Sequence, residues 1–528
     1  MNTVSPVNTR VFDIRAFGAV GDGKTLDTAT VQRAIDACSA DGGGVVLVPA
    51  GEFLIAPIEL KANVTLRIAA SGKLVATTDP ALYHEARGIP LQGDHTMADG
   101  NVGLVYAANA DNVTLEGPGT IDGRGKAVRD AGIGGRHRPH LVLFYKCNNL
   151  AVRDIYLHHS AYHTLRIANC EHVQLDGIRI NSRVVGNNDG FHFISAQHVH
   201  VSNCDVRCQD DACALFGDCR FVTVNNCTFS TRWSVFRFGG GSVAENIAVS
   251  NCVLDQVYGC PIKLRCGPGS RYENMSFSNL ILKDVTGPIS IGAGPQRENG
   301  TSAGAPASRP TTGPYANWPG GVVRNISFSN IRGNVITSPQ PLDDSTFTGS
   351  KNPGELHSAI DLNAVDGTYL ENISFNDIHL TFGGGGTLEE GARRELPQIA
   401  GEYFALGPIP AYGLYARNVR GLSMNNVRLR VATPELRPAI ILDKVQGATL
   451  NGLSIDANEK AECAIRVMNA SDVLLSRPRL LSPAAVFLRV EGERCRDITL
   501  DGGDTSKAQS VTTFAAGADQ RSAIRRPR

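Results

Sequence analysis

The chain has 528 residues and carries 51 Lys and Arg against 51 Asp and Glu, so its formal net charge is zero. A balanced charge gives no bulk electrostatic reason to bind nucleic acid or an anionic membrane surface. Glycine is frequent, at 56 residues, whereas aromatic residues make up 6% and charged residues 19%. This composition favours tightly stacked strands and turns over long solvated helices.

Location and redox state are constrained only weakly by the sequence. No apolar run approaches the roughly 18 residues of a membrane span. The opening Met-Asn-Thr-Val-Ser-Pro lacks the basic and apolar regions of a secretory signal. The chain as written is therefore expected in the cytoplasm, unless a leader peptide is missing from this sequence. The 13 cysteines are odd in number, which argues against a full disulfide framework. Their spacing with histidine does not suggest a zinc site, and we expect no metal or cofactor.

An amphipathic helix is predicted over residues 28–40. Thr28 or Thr30 can cap its start. Its apolar residues follow the spacing i, i+3, i+4, i+7: Val31, Ala34, Ile35 and Cys38. The glycines at 42–44 end the helix before a buried strand. They follow a helix and lack the Gly-Lys-Ser/Thr ending of a phosphate-binding loop, so a turn is the better interpretation.

From about residue 60 the chain becomes repetitive. Short alternating units with a polar pair in the middle begin at Leu150, Val173, Val199, Val222, Ile247 and Met275, at steps of 23, 26, 23, 25 and 28 residues. A period near 25 with strand alternation predicts a parallel β-helix, in which each coil stacks on the next. Later units begin at Ile326, Ile373, Leu422 and Ala448. Their longer steps of 51, 47 and 49 residues are expected to hold two coils each.

The β-helix explains other features of the sequence. Leucine-rich repeats share the period, but their consensus and helical half are missing. The Asn-Cys pairs at 203–204, 226–227 and 251–252 are interpreted as an interior stack, with cysteine as a core residue. The helix at 28–40 is expected to cover the open N-terminal end, which would otherwise expose unpaired strand edges.

We expect a single β-helix domain over residues 10–502. Three stretches rich in Gly, Pro, Ser and Thr break the rhythm and are interpreted as loop insertions: 296–321, 334–356 and 382–410. Insertions in a solenoid tend to lie on one face, often the binding face. Residues 503–528 lose the pattern and are expected to form a mobile tail.

Stacking the coils aligns a group of acidic residues. Asp189 and Asp211 are 22 residues apart, one coil. Because adjacent strands lie about 4.8 Å apart, Asp189, Asp210 and Asp211 are expected to project together. Three such carboxyl groups cannot all ionise easily, so at least one should have a raised pKa. A protonated carboxyl can act as general acid while a charged one activates water.

Cations follow on the next two coils. Ser234 and Arg237 occupy the first of these coils, and Lys263 and Arg265 the second. Their charges can hold an anionic substrate group through charge-assisted hydrogen bonds. Trp233 is either a packing residue or a platform on which a sugar stacks.

Here the chain resembles the polygalacturonases of glycoside hydrolase family 28. The family motif Asn-Thr-Asp is matched by Asn187-Asn188-Asp189, and the Asp-Asp motif by Gln209-Asp210-Asp211. The Gly-Asp-Gly at 21–23 and the Ser-Ala-Tyr-His at 160–163 are also similar. The resemblance covers roughly residues 12–480. It implies a right-handed, single-stranded parallel β-helix of the pectin-lyase-like type and O-glycosidic hydrolysis by inversion.

The resemblance also implies roles for individual residues. Asp210 would be the general acid, with Asp189 and Asp211 positioning and deprotonating water. Residues expected to bind substrate are Asn187, His192, Trp233, Arg237, Lys263, Arg265 and His163. The expected partner is a uronate-containing carbohydrate of the pectin type, and the oligomeric state is unknown.

The chain departs from the family pattern on the substrate side. Arg232-Trp233-Ser234-Val235 stands where the family has a histidine, His192 replaces a frequent aspartate, and the cationic motif is reversed to Lys263-Leu264-Arg265. Two other functions therefore stay open. A lyase would use Lys or Arg as the base, sometimes with calcium held by aspartates. A carbohydrate-binding β-helix would have no catalysis.

Overall fold

The computed structural model describes residues 10–91, 94–239, 243–295, 320–342 and 352–526. The chain forms two compact units. Among the described residues, the first unit runs from residue 10 to 227 and the second from 228 to 526. Within each unit, two series of strands, here called the A series and the B series, pair in parallel from one coil to the next.

In its described residues, the first unit contains two α-helices, α1 (Thr28–Ala40) and α2 (Gly125–Asp130), and 3-10 turns at Ile14–Phe17, Pro80–Leu82, His95–Met97 and Gly135–His137. Its strands are β1 Val11–Asp13, β2 Asp22–Leu26, β3 Gly44–Val48, β4 Gly51–Ile55, β5 Ile58–Leu60, β6 Val64–Ile68, β7 Gly72–Ala76, β8 Gly103–Ala108, β9 Thr114–Glu116, β10 Thr120–Asp122, β11 His140–Tyr145, β12 Asn148–Arg153, β13 Tyr156–His158, β14 Leu165–Ala168, β15 Glu171–Asp176, β16 Arg179–Ser182, β17 Phe191–Ile194, β18 Gln197–Ser202, β19 Asp205–Cys208, β20 Cys213–Phe216 and β21 Cys219–Asn225. The B series here is β5, β8, β11, β14, β17 and β20.

Within the part of the chain that the structure describes, the second unit contains three short helices, α3 (Pro353–Leu356), α4 (Leu388–Ala392) and α5 (Tyr403–Leu406), and a 3-10 turn at Gln520–Ser522. Its strands are β22 Thr228–Thr231, β23 Ser234–Gly239, β24 Val243–Val257, β25 Cys260–Cys266, β26 Arg271–Val285, β27 Ile289–Ala293, β28 Val322–Val335, β29 Ile360–Ala364, β30 Leu370–Phe382, β31 Leu414–Arg417, β32 Val419–Asn425, β33 Arg428–Val431, β34 Ile440–Asp443, β35 Gln446–Asn451, β36 Ser454–Ile455, β37 Ile465–Met468, β38 Ser471–Ser476, β39 Arg479–Leu480, β40 Ala484–Glu491, β41 Arg496–Asp501, β42 Ala508–Ala515 and β43 Ala523–Arg526. The B series here is β23, β25, β27, β29, β31, β34, β37, β40 and β42.

The repeat starts seen in the sequence are equivalent positions in the structure. In the first unit Leu150 pairs with Val173, which pairs with Val199 and then Val222. In the second unit the pairing runs from Ile247 through Met275, Ile326, Ile373 and Leu422 to Ala448. The parallel β-helix predicted from the repeat is therefore confirmed.

The expectation of two coils in each long step was wrong. Met275 pairs directly with Ile326, and Ile326 pairs directly with Ile373. The steps of about 50 residues are each a single coil with an insertion. A residue count alone cannot separate these possibilities, because an insertion outside the strands leaves their register unchanged.

The Asn-Cys pairs divide between the core and the surface. All 13 cysteines are free and buried, as expected of core residues. The asparagines are exposed, however, which corrects the interior stack predicted for them. Asn203, Asn226 and Asn251 have φ of 56°, 53° and 56°. Asparagine tolerates this left-handed conformation at a turn. In such turns the amide side chains bond from coil to coil, as Asn279 does to Asn251 over 3.0 Å.

Helix α1 buries the four side chains predicted to form its apolar face. Its N-cap residue is Asp27 rather than one of the predicted threonines. The Asp27 carboxylate accepts hydrogen bonds from Val20 N and Gly21 N at 2.7 and 3.0 Å, so it fixes the preceding turn. Thr28 Oγ1 accepts a hydrogen bond from Ala56 N at 2.8 Å. The threonine thus ties the helix to the first coils.

Of the three predicted insertions, residues 296–319 lie outside the described residues. The stretch 334–356 begins within β28 and ends with α3, but its residues 343–351 also lie outside the described residues. The stretch 382–410 carries α4 and α5. The expected mobile tail at 503–528 was wrong, because β42 pairs with β40 and β43 pairs with β41. These strands extend both series, although their polar sequence hides the repeat. Among the described residues, no helix is long and apolar enough to cross a membrane.

Replacing Ile35 in α1 with alanine should lower the free energy of unfolding by about 2–5 kcal/mol, because Ile35 is fully buried. Chemical denaturation would measure the loss. The matched control is Asp36→Ala, at an exposed position on the same helix, which should change stability by less than about 0.5 kcal/mol. Equal effects of the two substitutions would contradict the packing of the helix.

Candidate active site

In the first unit the site lies on the B series. Arg166 on β14 pairs with His192 on β17, and His192 pairs with Ala214 on β20. Neighbouring residues in the strand, such as Phe191 and Phe193, are fully buried in the core. Because side chains alternate along a strand, Arg166 and His192 project from the opposite face. Asp189 precedes β17 by two residues and joins them there.

Asp189 is held by two histidines. The His192 Nδ1 atom lies 2.6 Å from Asp189 Oδ2, and the His163 Nε2 atom lies 3.9 Å from the same oxygen. The two imidazole rings stack with centroids 4.0 Å apart and planes 9° apart. Asp189, His163 and His192 are all buried. Both predicted substrate-binding histidines therefore lie beside the predicted catalytic carboxyl group, and His192 is within hydrogen-bonding distance of it.

Arg166 fixes the protonation of His163. Its Nη1 atom lies 2.9 Å from His163 Nδ1. A guanidinium only donates hydrogen bonds, so Nδ1 must accept. Burial makes the largest contribution to lowering the pKa of His163 well below its usual value, and the charge of Arg166 adds to it. His163 is then neutral and carries its proton on Nε2, which faces Asp189.

This assignment also bears on metal binding. His163, Asp189 and His192 present ligand atoms within 4.8 Å of one another. A metal would need the lone pair of His163 Nε2, but Arg166 leaves a proton on that atom. The three side chains therefore fit two neutral rings packed beside a carboxyl group better than a metal centre.

Arg166 is itself buried and needs a counter-charge. Asp99, from the irregular segment between β7 and β8, pairs with it through two hydrogen bonds of 2.7 and 2.8 Å. Tyr162 Oη donates to the same carboxylate at 3.3 Å. Burial raises the pKa of Asp99, but the charges and the hydrogen bond around it, those of Arg166 foremost, together lower the pKa below its usual value.

The second acidic pair lies one coil further on. Asp211 O accepts a hydrogen bond from Gly190 N at 3.0 Å, which confirms that Asp189 and Asp211 belong to adjacent coils. Asn187 Nδ2 donates to Asp210 Oδ2 at 3.2 Å. Asn188 is fully buried, and its side chain donates to Ser160 O and Tyr162 O at 2.8 and 2.9 Å. The middle residue of the motif thus anchors the loop that presents the acids.

The prediction that one carboxyl group has a raised pKa is confirmed for Asp189. Burial makes the largest contribution, and the charges of Asp210 and Asp211 add to it, so the pKa lies well above 3.8. His192 remains neutral because burial and Arg166 lower its pKa well below 6.5. The buried end of this site therefore carries a basic carboxylate surrounded by neutral rings.

The second unit gathers the predicted cations on its own B series. Arg237 on β23 pairs in register with Lys263 on β25. All three predicted cations converge on Glu402. Its carboxylate lies 2.7 Å from Lys263 Nζ, 3.4 Å from Arg237 Nη2 and 3.8 Å from Arg265 Nη2. The cations expected to bind substrate are thus already neutralised in part by an acidic side chain.

Trp233 lies over the same cluster. Lys263 Nζ is 4.5 Å from the centre of the indole ring, and the Phe404 ring lies 6.1 Å from it. Trp233 is partly exposed, and Phe404 is 49% exposed. Ser234, the next residue after Trp233, is fully buried. An aromatic surface therefore lies beside an ionised carboxylate.

Sequence reasoning missed Arg166, Asp99 and Glu402. Arg166 lies 26 residues before His192, which is one coil. The spacing that predicted Asp189 beside Asp211 could therefore also have predicted Arg166 beside His192. Asp99 and Glu402 lie in segments without the repeat, where spacing carries no information. The insertion at 382–410 was expected on the binding face, but no residue in it was singled out.

Comparison with known proteins gives the family. The glycosyl hydrolases family 28 profile matches residues 38–343, more than half of the chain. A polygalacturonase from Malus domestica is 26% identical over 236 residues, which cover 42% of this chain and 48% of that protein. An exopolygalacturonase from Zea mays is 26% identical over 46% of this chain and 60% of its own length. The chain thus spans about half the length of the curated relatives it matches.

Solved structures show the same fold at low identity. An exopolygalacturonase from Thermotoga maritima aligns with a TM-score of 0.58 and 20% identity, covering 80% of this chain and 92% of that chain. A family 28 exopolygalacturonase from Yersinia enterocolitica aligns with a TM-score of 0.60 and 17% identity, covering 84% of this chain and 78% of that chain. Both are parallel β-helix neighbours. Together with the profile match, the motifs place the chain in a known group: it belongs to the glycosyl hydrolases family 28.

Proposed function

We propose that the chain hydrolyses O-glycosidic bonds with inversion, in a uronate-containing, pectin-type polysaccharide or oligosaccharide. The observation that carries the proposal is the buried Asp189, whose pKa is raised and which lies one coil from Asp210 and Asp211. Two carboxyl groups with separate tasks are what glycoside hydrolysis requires. Family membership and the names of the relatives support the substrate class.

Each acidic residue has a proposed role. Asp210, which is less buried than the other two, protonates the leaving oxygen. Asp189 and Asp211 hold the attacking water and take up its proton. A raised pKa makes Asp189 a stronger base once it is ionised. The hydrogen bond from His192 stabilises that ionised form.

A lyase is less well supported. It would need a Lys or Arg side chain to take up a proton beside a uronate carboxylate. Lys263 is only 1% exposed and Arg265 is fully buried, and both lie against Glu402. Both cations are therefore held as ion-pair partners, which is a poor arrangement for a base.

Product analysis tests the proposal. Wild type should release a saturated reducing sugar of inverted anomeric configuration from pectic or other uronate-containing glycans. Nuclear magnetic resonance would measure the anomeric configuration of the released sugar. Asp210→Asn should lower kcat by at least about 100-fold, because the amide cannot protonate the leaving group. An unsaturated product, or turnover unchanged in Asp210→Asn, would overturn the assignment.

Asp189→Asn should remove activity and stabilise the fold. The pKa of Asp189 is raised in the folded chain, so its stabilising contribution is present below the unfolded pKa and is lost as pH rises through the folded pKa. At pH 7 the neutral amide should therefore raise Tm by about 2 °C or more. The gain should vanish below about pH 3.8.

Asp130→Asn is the matched control for this measurement. Asp130 is 64% exposed and its partner Lys126 is on the surface, so the change should leave Tm nearly unaltered at both pH values. A lower Tm for Asp189→Asn at pH 7 would show that ionised Asp189 stabilises the fold.

His192→Phe should shift the acid side of the pH–rate profile to higher pH. Phenylalanine keeps a ring in the stack but removes the nitrogen beside Asp189, so ionised Asp189 loses a hydrogen bond. The value of kcat/KM at pH 5, relative to its maximum, should fall at least about fivefold. His198→Phe, at an exposed ring that stacks on Phe221, should leave the profile unchanged. An unshifted profile in His192→Phe would exclude this role.

A further inference from the structure

An arginine from outside the coils contacts the loop that presents the acids. Arg138 follows the 3-10 turn at Gly135–His137, in the segment between β10 and β11. Its Nη1 atom donates to Gly186 O and to Asn187 Oδ1, both at 3.2 Å. Both acceptors lie just before Asp189 in the chain. Arg138 thus reaches the loop of the acids from a separate part of the first unit.

The guanidinium of Arg138 is held in a fixed plane. Its Cζ atom lies 3.7 Å from the centre of the Tyr162 ring, and its Nε atom donates to Gly135 O at 3.2 Å. Tyr162 is itself buried and stacks on His140 and His163, with centroid distances of 4.8 and 4.0 Å. A planar guanidinium that stacks on an aromatic face has fixed hydrogen-bonding directions. The donor Nη1 is therefore presented to the loop from a packed row of rings.

The contact with Arg138 determines which way the Asn187 amide points. A guanidinium only donates hydrogen bonds, so the atom of Asn187 that faces Arg138 must be the oxygen. The amide nitrogen Nδ2 then faces Asp210 and lies 3.2 Å from its Oδ2 atom. Asn187 is exposed, so packing alone does little to orient its side chain. The hydrogen bond from Arg138 supplies that orientation.

Asp210 accepts two hydrogen bonds in this arrangement. Its Oδ1 atom accepts from Asp211 N at 3.0 Å, and its Oδ2 atom accepts from Asn187 Nδ2. Donors of this kind favour the ionised form of a carboxyl group over the protonated form. The Asn187 amide therefore influences the pH at which Asp210 gives up its proton. It also stabilises the carboxylate that remains after Asp210 has protonated a leaving oxygen.

Charge acts on Asp210 as well. Four charged side chains lie on the elements around it: Asp189, Asp211, Arg138 and Arg183. The two acids disfavour the ionised form of Asp210, whereas positive charge favours it. Arg183 is buried and donates to Cys208 O at 3.2 Å. A test of Arg138 must therefore separate its charge from its hydrogen bond to the amide.

We propose that Arg138 is a positioning residue for the general acid. It orients the Asn187 amide, and the amide in turn holds Asp210 and favours its ionised form. This inference rests on the proposed function, because it concerns the pH range in which Asp210 can protonate the leaving oxygen. Arg138 acts on the reaction only through Asn187.

The pH dependence of kcat/KM tests the proposal. A general acid must be protonated, so activity falls on the alkaline side as Asp210 ionises. Arg138→Met and Asn187→Ala should each move this alkaline limb to higher pH by at least about 0.5 unit, because the ionised form loses a hydrogen bond. The double variant should move it no further than the larger single shift. Arg136→Met, at an exposed position in the same turn, should leave the profile unchanged.

Arg138→Lys separates charge from orientation. Lysine keeps the positive charge, but its flexible ammonium group does not reproduce the guanidinium plane against Tyr162. The alkaline limb should therefore still move to higher pH, by at least about 0.3 unit. A wild-type profile in Arg138→Lys, or additive shifts in the double variant, would show that Arg138 acts through its charge and would overturn the proposal.

A structural role gives a different result. Lower activity at every pH without a shift of the alkaline limb, in Arg138→Met and Arg138→Lys alike, would overturn the positioning role. Asn187 is exposed, so Asn187→Ala should fold even if the variants of Arg138 do not. An unshifted alkaline limb in Asn187→Ala would by itself overturn the proposal.

Direct titration of Asp210 separates this inference from the hydrolase proposal. In carbon-13 nuclear magnetic resonance of carboxyl-labelled aspartates, the Asp210 signal is identified by its loss in Asp210→Asn. Its titration midpoint should be at least about 0.5 unit higher in Arg138→Met than in wild type. A shifted midpoint without turnover of any glycan would support the orientation by Arg138 and remove the hydrolase proposal. Saturated products with an unshifted midpoint would overturn the positioning role and leave the hydrolase proposal standing.

Discussion

Parallel pairing of each strand with its counterpart on the next coil is the constraint on which both units depend. It repeats every side-chain position at about 4.8 Å. Inside, this stacks apolar residues such as Phe277 and Phe328, whose rings lie 5.3 Å apart. On the opposite face it stacks whatever polar residues the sequence supplies. Asp189 beside Asp211, and Arg237 beside Lys263, follow from the same geometry that builds the core.

Stacking like charges carries an electrostatic penalty, and the two units meet it differently. In the first unit the acidic group is surrounded by histidines that remain neutral, and burial, with the charges of Asp210 and Asp211 added to it, raises the pKa of Asp189. In the second unit three cations share the carboxylate of Glu402. A poised carboxyl group is useful for proton transfer. A cation cluster that shares one carboxylate is better suited to holding that side chain in place.

The sequence was informative wherever the repeat operates. The period predicted the coils, their registers and the alignment of Asp189 with Asp211, because these depend on local spacing. The period gave the wrong number of coils where a long insertion separates paired strands, as in the coils of about 50 residues. It also missed strands with polar sequences, as in β42 and β43. The repeat could not predict Asp99 and Glu402 as site residues, for a related reason. Both come from irregular segments, and their partners are fixed by tertiary packing rather than by spacing.

The same constraint explains why new chemistry enters this fold through its insertions. A change in the length of a strand would shift the register and turn core side chains outward. An insertion between strands leaves the register intact, as the direct pairing of Ile326 with Ile373 shows. It can therefore bring a charge such as Glu402 to an existing row of side chains. The coils then supply the catalytic acids, while the insertions set what lies opposite the cations, so the two properties can vary independently.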